Sequence, residues 1–182
     1  MSTIAIVDHS GYGHTAKIAV AAAAGAALLA IDAEGNLPDS AWATLAAAKT
    51  IVFGSPTYMG SVSWQFKKFA DMSSKPWFTM QWKNKLAAGF TNSATLNGDK
   101  FSSLTYMFTL SQQHGMFWVG MGMQGTNAKH HGRNDVNNLG GYAGLMTATP
   151  SEASPEEMVP GDIATAKAFG ERVAQATAML VG

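Results

Sequence analysis

The sequence predicts a three-layer α/β sandwich: a five-stranded parallel sheet of order 2-1-3-4-5 with helices on both faces. Three observations predict it. Short apolar runs alternate with longer helical stretches along most of the chain, the signature of a parallel sheet whose crossovers are helices. Three of those runs lead into polar, uncharged loops, and in this strand order all three loops open on the same carboxyl edge of the sheet. The 182 residues are 47% hydrophobic and 13% charged, which suits one domain, residues 1–182, with a sizeable core.

The first strand is the apolar run Ile4-Ala5-Ile6-Val7. A glycine-bearing turn, Asp8 to Thr15, leads into an alanine-rich helix from Ala16 that runs toward a second strand at Ala27 to Ile31. Glu34 to Ser40 is turn-rich, and a short helix from Ser40 to Ala48 follows, with Trp42, Leu45 and Ala46 on one face. Thr50 to Gly54 is the third strand, expected to stop at Ser55-Pro56 because proline cannot donate to a ladder. Val62, Phe66 and Phe69 mark a helix over 62–72. Ser73 to Lys83 reads as a loop carrying Trp77 and Trp82, and Lys85 to Phe90 as the fourth strand. Phe101, Leu104, Phe108 and Ser111 predict a helix over 100–113, with Gly115 as its left-handed stop. Met116 to Met121 is the fifth strand, its methionines core filling. Gly122 to Pro150 is long and weakly patterned, with an extended piece at Tyr142 to Thr147. A helix over 161–180 closes the pattern, its stripe being Ile163, Ala166, Phe169, Val173, Ala176 and Leu180.

Composition excludes several classes of function. The formal net charge is zero, which argues against nucleic acid or an anionic membrane as partner. With no cysteine, disulfides, thiolate catalysis and cysteine metal sites are ruled out. The uncharged run Ile18 to Ile31 is shorter than the ~20 residues a bilayer requires. Met1-Ser2-Thr3 lacks the positive region of a signal peptide. The expectation is a cytoplasmic protein with no membrane insertion. His130-His131 with Asp135 lies on a Gly/Asn-rich stretch and reads as a solvated lid, so no metal is expected.

The chemistry is expected in the three loops. The first, Ser10-Gly11-Tyr12-Gly13-His14-Thr15, puts backbone N–H groups and hydroxyls at a helix N-terminus, which reads either as a cradle for phosphate without a lysine or as an ordinary βα turn capped by Ser or Thr. The second is Ser55-Pro56-Thr57-Tyr58-Met59-Gly60-Ser61, and the third begins Thr91-Asn92-Ser93-Ala94-Thr95. The chain has no Gly-x-Gly-x-x-Gly followed by an acidic ribose partner, which disfavours a dinucleotide.

Ser10-Gly11-Tyr12-Gly13-His14 matches a Ser-x-Tyr-Gly-His loop, and Pro56-Thr57-Tyr58-Met59-Gly60-Ser61 approximates Pro-Thr-x-Phe-Gly-Asn. With Leu110 to Met116 and Gly140-Gly141-Tyr142, these motifs resemble the flavodoxin-like NAD(P)H:quinone oxidoreductases of the tryptophan-repressor-binding-protein (WrbA-like) family, over nearly the whole chain. The resemblance implies a flavodoxin-like fold and FMN as bound cofactor. NADH or NADPH would be the hydride donor and a small quinone the acceptor, exchanged in two successive half-reactions. It assigns the FMN phosphate to Ser10, Gly11, Gly13, His14 and Thr15. The isoalloxazine ring falls to Pro56, Thr57, Tyr58, Met59, Gly60, Ser61, Asn92, Ser93, Ala94 and Thr95. Tyr12, Trp77 and His114 are its candidate catalytic residues, lining the substrate side or facing the pyrimidine, and Gln113 shares with His114 the position of a flavin-contacting histidine. A homodimer or homotetramer is implied. The chain departs from the pattern in a third loop poorer in glycine, in Gln113-His114-Gly115 where the family has His-His-Gly, and in a shorter connection between strands two and three. The competing readings are a flavodoxin-type electron carrier and a flavin-free interaction module on the same fold.

Overall fold

The computed structural model describes residues 3–23 and 25–181; the uncharged start Met1-Ser2 and Ala24 of the expected first helix lie outside them. The element order is β1 (Ile4–His9), α1 (His14–Ala21), β2 (Ala27–Ile31), α2 (Asp39–Ala47), β3 (Thr50–Tyr58), β4 (Ser61–Val62), α3 (Trp64–Met72), α4 (Ser74–Phe78), β5 (Leu86–Ser93), α5 (Lys100–Gln113), β6 (Phe117–Trp118), β7 (Leu145–Ala148), a 3₁₀ turn (Pro155–Glu157) and α6 (Pro160–Val181).

Strand alternation splits the core into two layers. Ala5, Val7, Ile51, Phe53 and Ala87 pack with Phe66, Phe69, Trp82, Leu104 and Met107. Ile4, Ile6, Val52, Ala88 and Phe90 pack on the other face with Ile18, Phe169 and Val173. Both faces being covered, the central strands read as continuous apolar runs.

The sheet order β2-β1-β3-β5-β6 follows the expected succession, but the sheet has seven strands rather than five. Two segments share the place of the fifth strand. Phe117–Trp118 pairs with Leu86–Ala87 at the start of β5, and Leu145–Ala148 pairs with Phe90–Ser93 at its end. The chain leaves the ladder after Val119, whose N–H still reaches the Ala87 carbonyl (2.7 Å), and Tyr142 to Thr147 brings it back. The extra β4 is antiparallel to β3, with Thr57 opposite Val62 and Tyr58 opposite Ser61. Met59 and Gly60 form the hairpin turn with φ of 48° and 76°, as a two-residue turn of this hand requires.

Several strands are longer than the sequence suggests. β3 runs straight through Pro56, which pairs with Asn92 of β5. Beyond Gly54 its pairing with β1 has ended, so the missing proline N–H falls on an edge where no ladder bond is lost. β1 carries Asp8 and His9, and β5 carries Thr91, Asn92 and Ser93, so the polar residues nearest the cleft are strand ends with fixed directions. Ser63 caps α3, accepting from the Phe66 N–H (3.3 Å), which moves Val62 out of the helix and into β4. The expected loop after α3 contains the short α4, and α1 ends at Ala21 ahead of a turn at Gly25, φ 84°.

Candidate functional site

A cleft of about 180 Å³ opens at the carboxyl edge between β1, β3 and β5. Ser10, Tyr12, His14, Thr15, Pro56, Thr57, Tyr58, Asn92, Ser93 and Ala94 line it, so all three predicted loops converge there. None of its lining residues is charged apart from the titratable His14.

The first loop combines an uncapped helix N-terminus with an unpartnered hydroxyl, features that suit an anion. Gly13 stands at the N-cap of α1 with φ 86°, and no side chain caps the helix. The Ser10 hydroxyl is fully buried and has no hydrogen-bond partner among the described residues. A buried hydroxyl without a partner is costly unless something fills the place, and here it lies beside the positive end of a helix. A Cβ on Gly13 would come within 2.8 Å of Pro155 Cγ at a φ of 86°, so glycine is favoured there, and one on Gly11 would press the Tyr58 hydroxyl aside at 2.5 Å. These features fit the phosphate of FMN. His14 is committed elsewhere: its Nε2–H donates to the Ala153 carbonyl (2.7 Å) and ties down the loop after β7.

The floor of the cleft is a hydroxyl network. Thr57 Oγ1 lies 2.8 Å from Thr91 Oγ1 and 2.7 Å from Ser103 Oγ. Thr147 and Thr149 both donate to Asn92 Oδ1, at 2.8 and 3.1 Å, which turns the NH₂ side of that carboxamide away from them. The Tyr12 and Tyr58 rings meet edge-on at 6.3 Å, and burial, then the nearby Tyr12, pushes the Tyr58 phenol above its ordinary pKa.

Some expected residues stand apart from this cleft. Met59, Gly60 and Ser61 form the neighbouring hairpin and do not line it; Met59 is fully exposed. Gly11 and Gly13 shape its backbone, and the Thr95 carbonyl faces away, toward Lys100. Trp77, Gln113 and His114 lie at the opposite edge of the sheet. The Gly115 carbonyl accepts from the Asn84 N–H (3.0 Å) just before β5 begins, whereas the cleft lies where β5 ends. The Trp77 indole N–H donates to the Gln113 carbonyl (3.0 Å), and these residues edge a separate groove with Ser73 and Leu110. His114 is buried and stacked 4.2 Å from Trp82. The Ser73 hydroxyl donates to the Ala70 carbonyl (2.6 Å), so His114 Nε2–H must donate to Ser73 Oγ (2.9 Å). Burial pushes its pKa down to about 4, and the ring is neutral. Within one chain these three residues cannot reach a cofactor in the cleft. The spacing Leu110 to Met116 places Gln113 and His114 at a helix C-terminus, and only the strand direction reveals that this is the opposite edge.

Three participants escaped the sequence reading. Thr149 and Ser151 complete the cleft from the loop after β7, where the faint extended signal at Tyr142 to Thr147 was the available clue. Lys100 is fully buried behind the third loop, although as the first residue of a helix it reads as a surface charge.

Residues 39–145 match the model of the NADPH-dependent FMN reductase family. The chain belongs to that family. It is 51% identical over 177 residues to flavodoxin FldP of Pseudomonas aeruginosa, covering 96% of both chains. It is 36% identical over 142 residues to an NAD(P)H dehydrogenase (quinone) of Geotalea uraniireducens, covering 75% of this chain and 65% of the relative. Among solved structures it resembles a flavodoxin, WrbA-like protein from Agrobacterium tumefaciens, with TM-score 0.82, 47% identity and coverage of 98% and 99%. The chain is a WrbA-like protein of flavodoxin fold. No helix among the described residues is long and apolar enough to cross a membrane. Among the described residues no group of three or more His, Asp or Glu is placed to hold a metal. His131 Nδ1 accepts from the Ala128 N–H (3.1 Å) and Asp135 from the Gly132 N–H (2.7 Å), so both brace their own loop.

Proposed function

We propose that this protein binds FMN in the carboxyl-edge cleft and passes its electrons to a partner as a flavodoxin-type carrier. The observation that carries FMN binding is the buried, unpartnered Ser10 hydroxyl beside the uncapped N-terminus of α1. Ser10, the α1 N–H groups and Thr15 would hold the phosphate, and Tyr12, Pro56, Tyr58, Asn92, Ser93 and Ala94 would flank the ring. Bound there, FMN supplies reversible uptake of one or two electrons. The protein's own residues orient and shield it: Thr57 and Asn92 are locked by neighbouring hydroxyls, and Tyr12 and Tyr58 stand over the opening as aromatic walls.

The carrier role is supported by 51% identity over 96% of both chains to a protein named flavodoxin. The second reading is an NAD(P)H:quinone oxidoreductase. The 36% identity to a quinone dehydrogenase favours it, as does the zero net charge, since carriers often steer partners with an acidic face. Anaerobic mixing of the FMN-loaded protein with NADPH or NADH separates the two. A carrier keeps its oxidised spectrum until a separate nicotinamide-dependent reductase is added. Rapid bleaching by nicotinamide alone, with quinone turnover and parallel double-reciprocal lines, would replace the carrier with the enzyme.

A further inference from the structure

Lys100 is a buried cation placed directly behind the cleft. Its ammonium donates to Ser93 Oγ (2.7 Å), the Thr95 carbonyl (2.9 Å) and the Leu96 carbonyl (2.7 Å). All three protons of the ammonium are thereby spent on one loop, and Ser93 is a wall residue of the cleft. The ion pairs among the described residues are Lys17–Glu156, Lys67–Asp71 and Arg133–Asp162, so no carboxylate there touches the ammonium; Asp162, itself paired with Arg133, acts on it only at a distance. Burying an ammonium with no carboxylate in contact is costly, and burial lowers the Lys100 pKa to about 8. Lys85 braces the end of α2 in a similar way, but Lys100 differs in that one of its acceptors, Ser93, lines the cleft.

The bonds also fix which way the loop faces. In a trans peptide the C=O and the next N–H point in opposite directions. With the Thr95 and Leu96 carbonyls turned to the ammonium, the Leu96 and Asn97 N–H groups are turned to the other side of the loop. Gly98 and Asp99 follow with φ of 53° and 51°, and a Cβ on Gly98 would collide with the Ser93 side chain, so the loop closes on itself in one shape. The few glycines of this loop are thus offset by a lysine that pulls its carbonyls inward.

We propose that Lys100 is a positioning residue for the cofactor's redox state: it fixes the third loop, whose Ser93 and Ala94 line the cleft, and sets its own charge behind that wall, where it favours the negative charge gained on reduction. This rests on the FMN reading above. A cation there stabilises reduced FMN more than oxidised FMN, which raises the reduction potential.

The test compares wild type, Lys100→Met and Lys100→Arg by spectroelectrochemistry and by FMN titration in both redox states. Lys100→Met is expected to weaken reduced FMN about tenfold more than oxidised FMN, a fall of about 30 mV for the two-electron couple. Lys100→Arg keeps the charge and restores most of the potential. If both variants bind FMN with the wild-type potential, the proposal is overturned while the FMN reading stands. If wild type itself binds no FMN, both fall. Should Lys100→Met fail to fold, hydrogen exchange on wild type decides: the amides of the loop that Lys100 holds, residues 94–97, gain protection when FMN binds, and unchanged exchange across the loop overturns the proposal.

Discussion

Ser10→Ala should move stability and cofactor affinity in opposite directions. The Ser10 hydroxyl is buried without a partner, so the empty protein carries its desolvation cost and gains no bond in return. Leaving a buried hydroxyl unsatisfied costs about 1–3 kcal/mol. Alanine removes that cost and leaves a small void, so the FMN-free protein should be as stable as wild type or about 1 kcal/mol more stable. A hydrogen bond to a charged group is worth about 1.5–3 kcal/mol, so FMN should bind about ten- to a hundredfold more weakly. Thr57→Val is the contrast. Its hydroxyl is bonded to Thr91 and Ser103, and its loss should destabilise the empty protein by about 1–3 kcal/mol. Urea unfolding of the FMN-free proteins and fluorescence titration with FMN measure the two effects. A Ser10→Ala protein that is clearly less stable and binds FMN as tightly as wild type would refute the reasoning, because the hydroxyl would then serve the fold rather than the phosphate.

Two buried titrating groups give pH signatures of opposite sign. His114, held near pKa 4 in the fold against 6.5 in the unfolded chain, takes up its proton earlier when unfolded, so its contribution is lost as pH falls from 6.5 toward 4. At pH 5 the loss is about 2 kcal/mol, and urea midpoints of His114→Gln should lack that acid slope. Asp8, raised by burial to about 7 from 3.8, keeps its proton in the fold, so stability falls as pH rises across that window. Asp8→Asn should therefore exceed wild type by up to about 4 kcal/mol at pH 8, and the gain should vanish at pH 3. Gly13→Ala, at φ 86° and against Pro155, should cost about 1–2 kcal/mol in thermal or urea unfolding and weaken FMN as well; an unperturbed variant would mean that the turn relaxes freely.

The layered fold and the convergence of three loops on one sheet edge were legible because alternation and strand order are written in short-range hydrophobic patterns. Ser10, Thr15, Tyr58 and Asn92 came out in the cleft for that reason. What was not legible depends on long-range geometry. Pro56 stays in β3 because its neighbour β1 has already ended. The fifth strand is divided because residues 119–144 depart and return, and neither half alone has strand length. His14 reads as a phosphate donor but is drawn away by the Ala153 carbonyl, 139 residues distant in sequence. His114 and Trp77 follow a family motif in sequence, yet the return of the chain through α5 for His114, and through α3 into α4 for Trp77, carries them to the far edge. Lys100 shows the same limit from the other side, since nothing local distinguishes a solvated helix-start lysine from a buried one.

The central claim is that the N-terminus of α1 and Ser10 form a phosphate site that holds FMN. Parallel titrations of the protein with FMN and with riboflavin, which differ only in the phosphate, test it most directly. The account predicts that FMN binds at least a hundredfold more tightly than riboflavin and that inorganic phosphate competes with it. Equal affinity for the two flavins, or binding of neither, would contradict it.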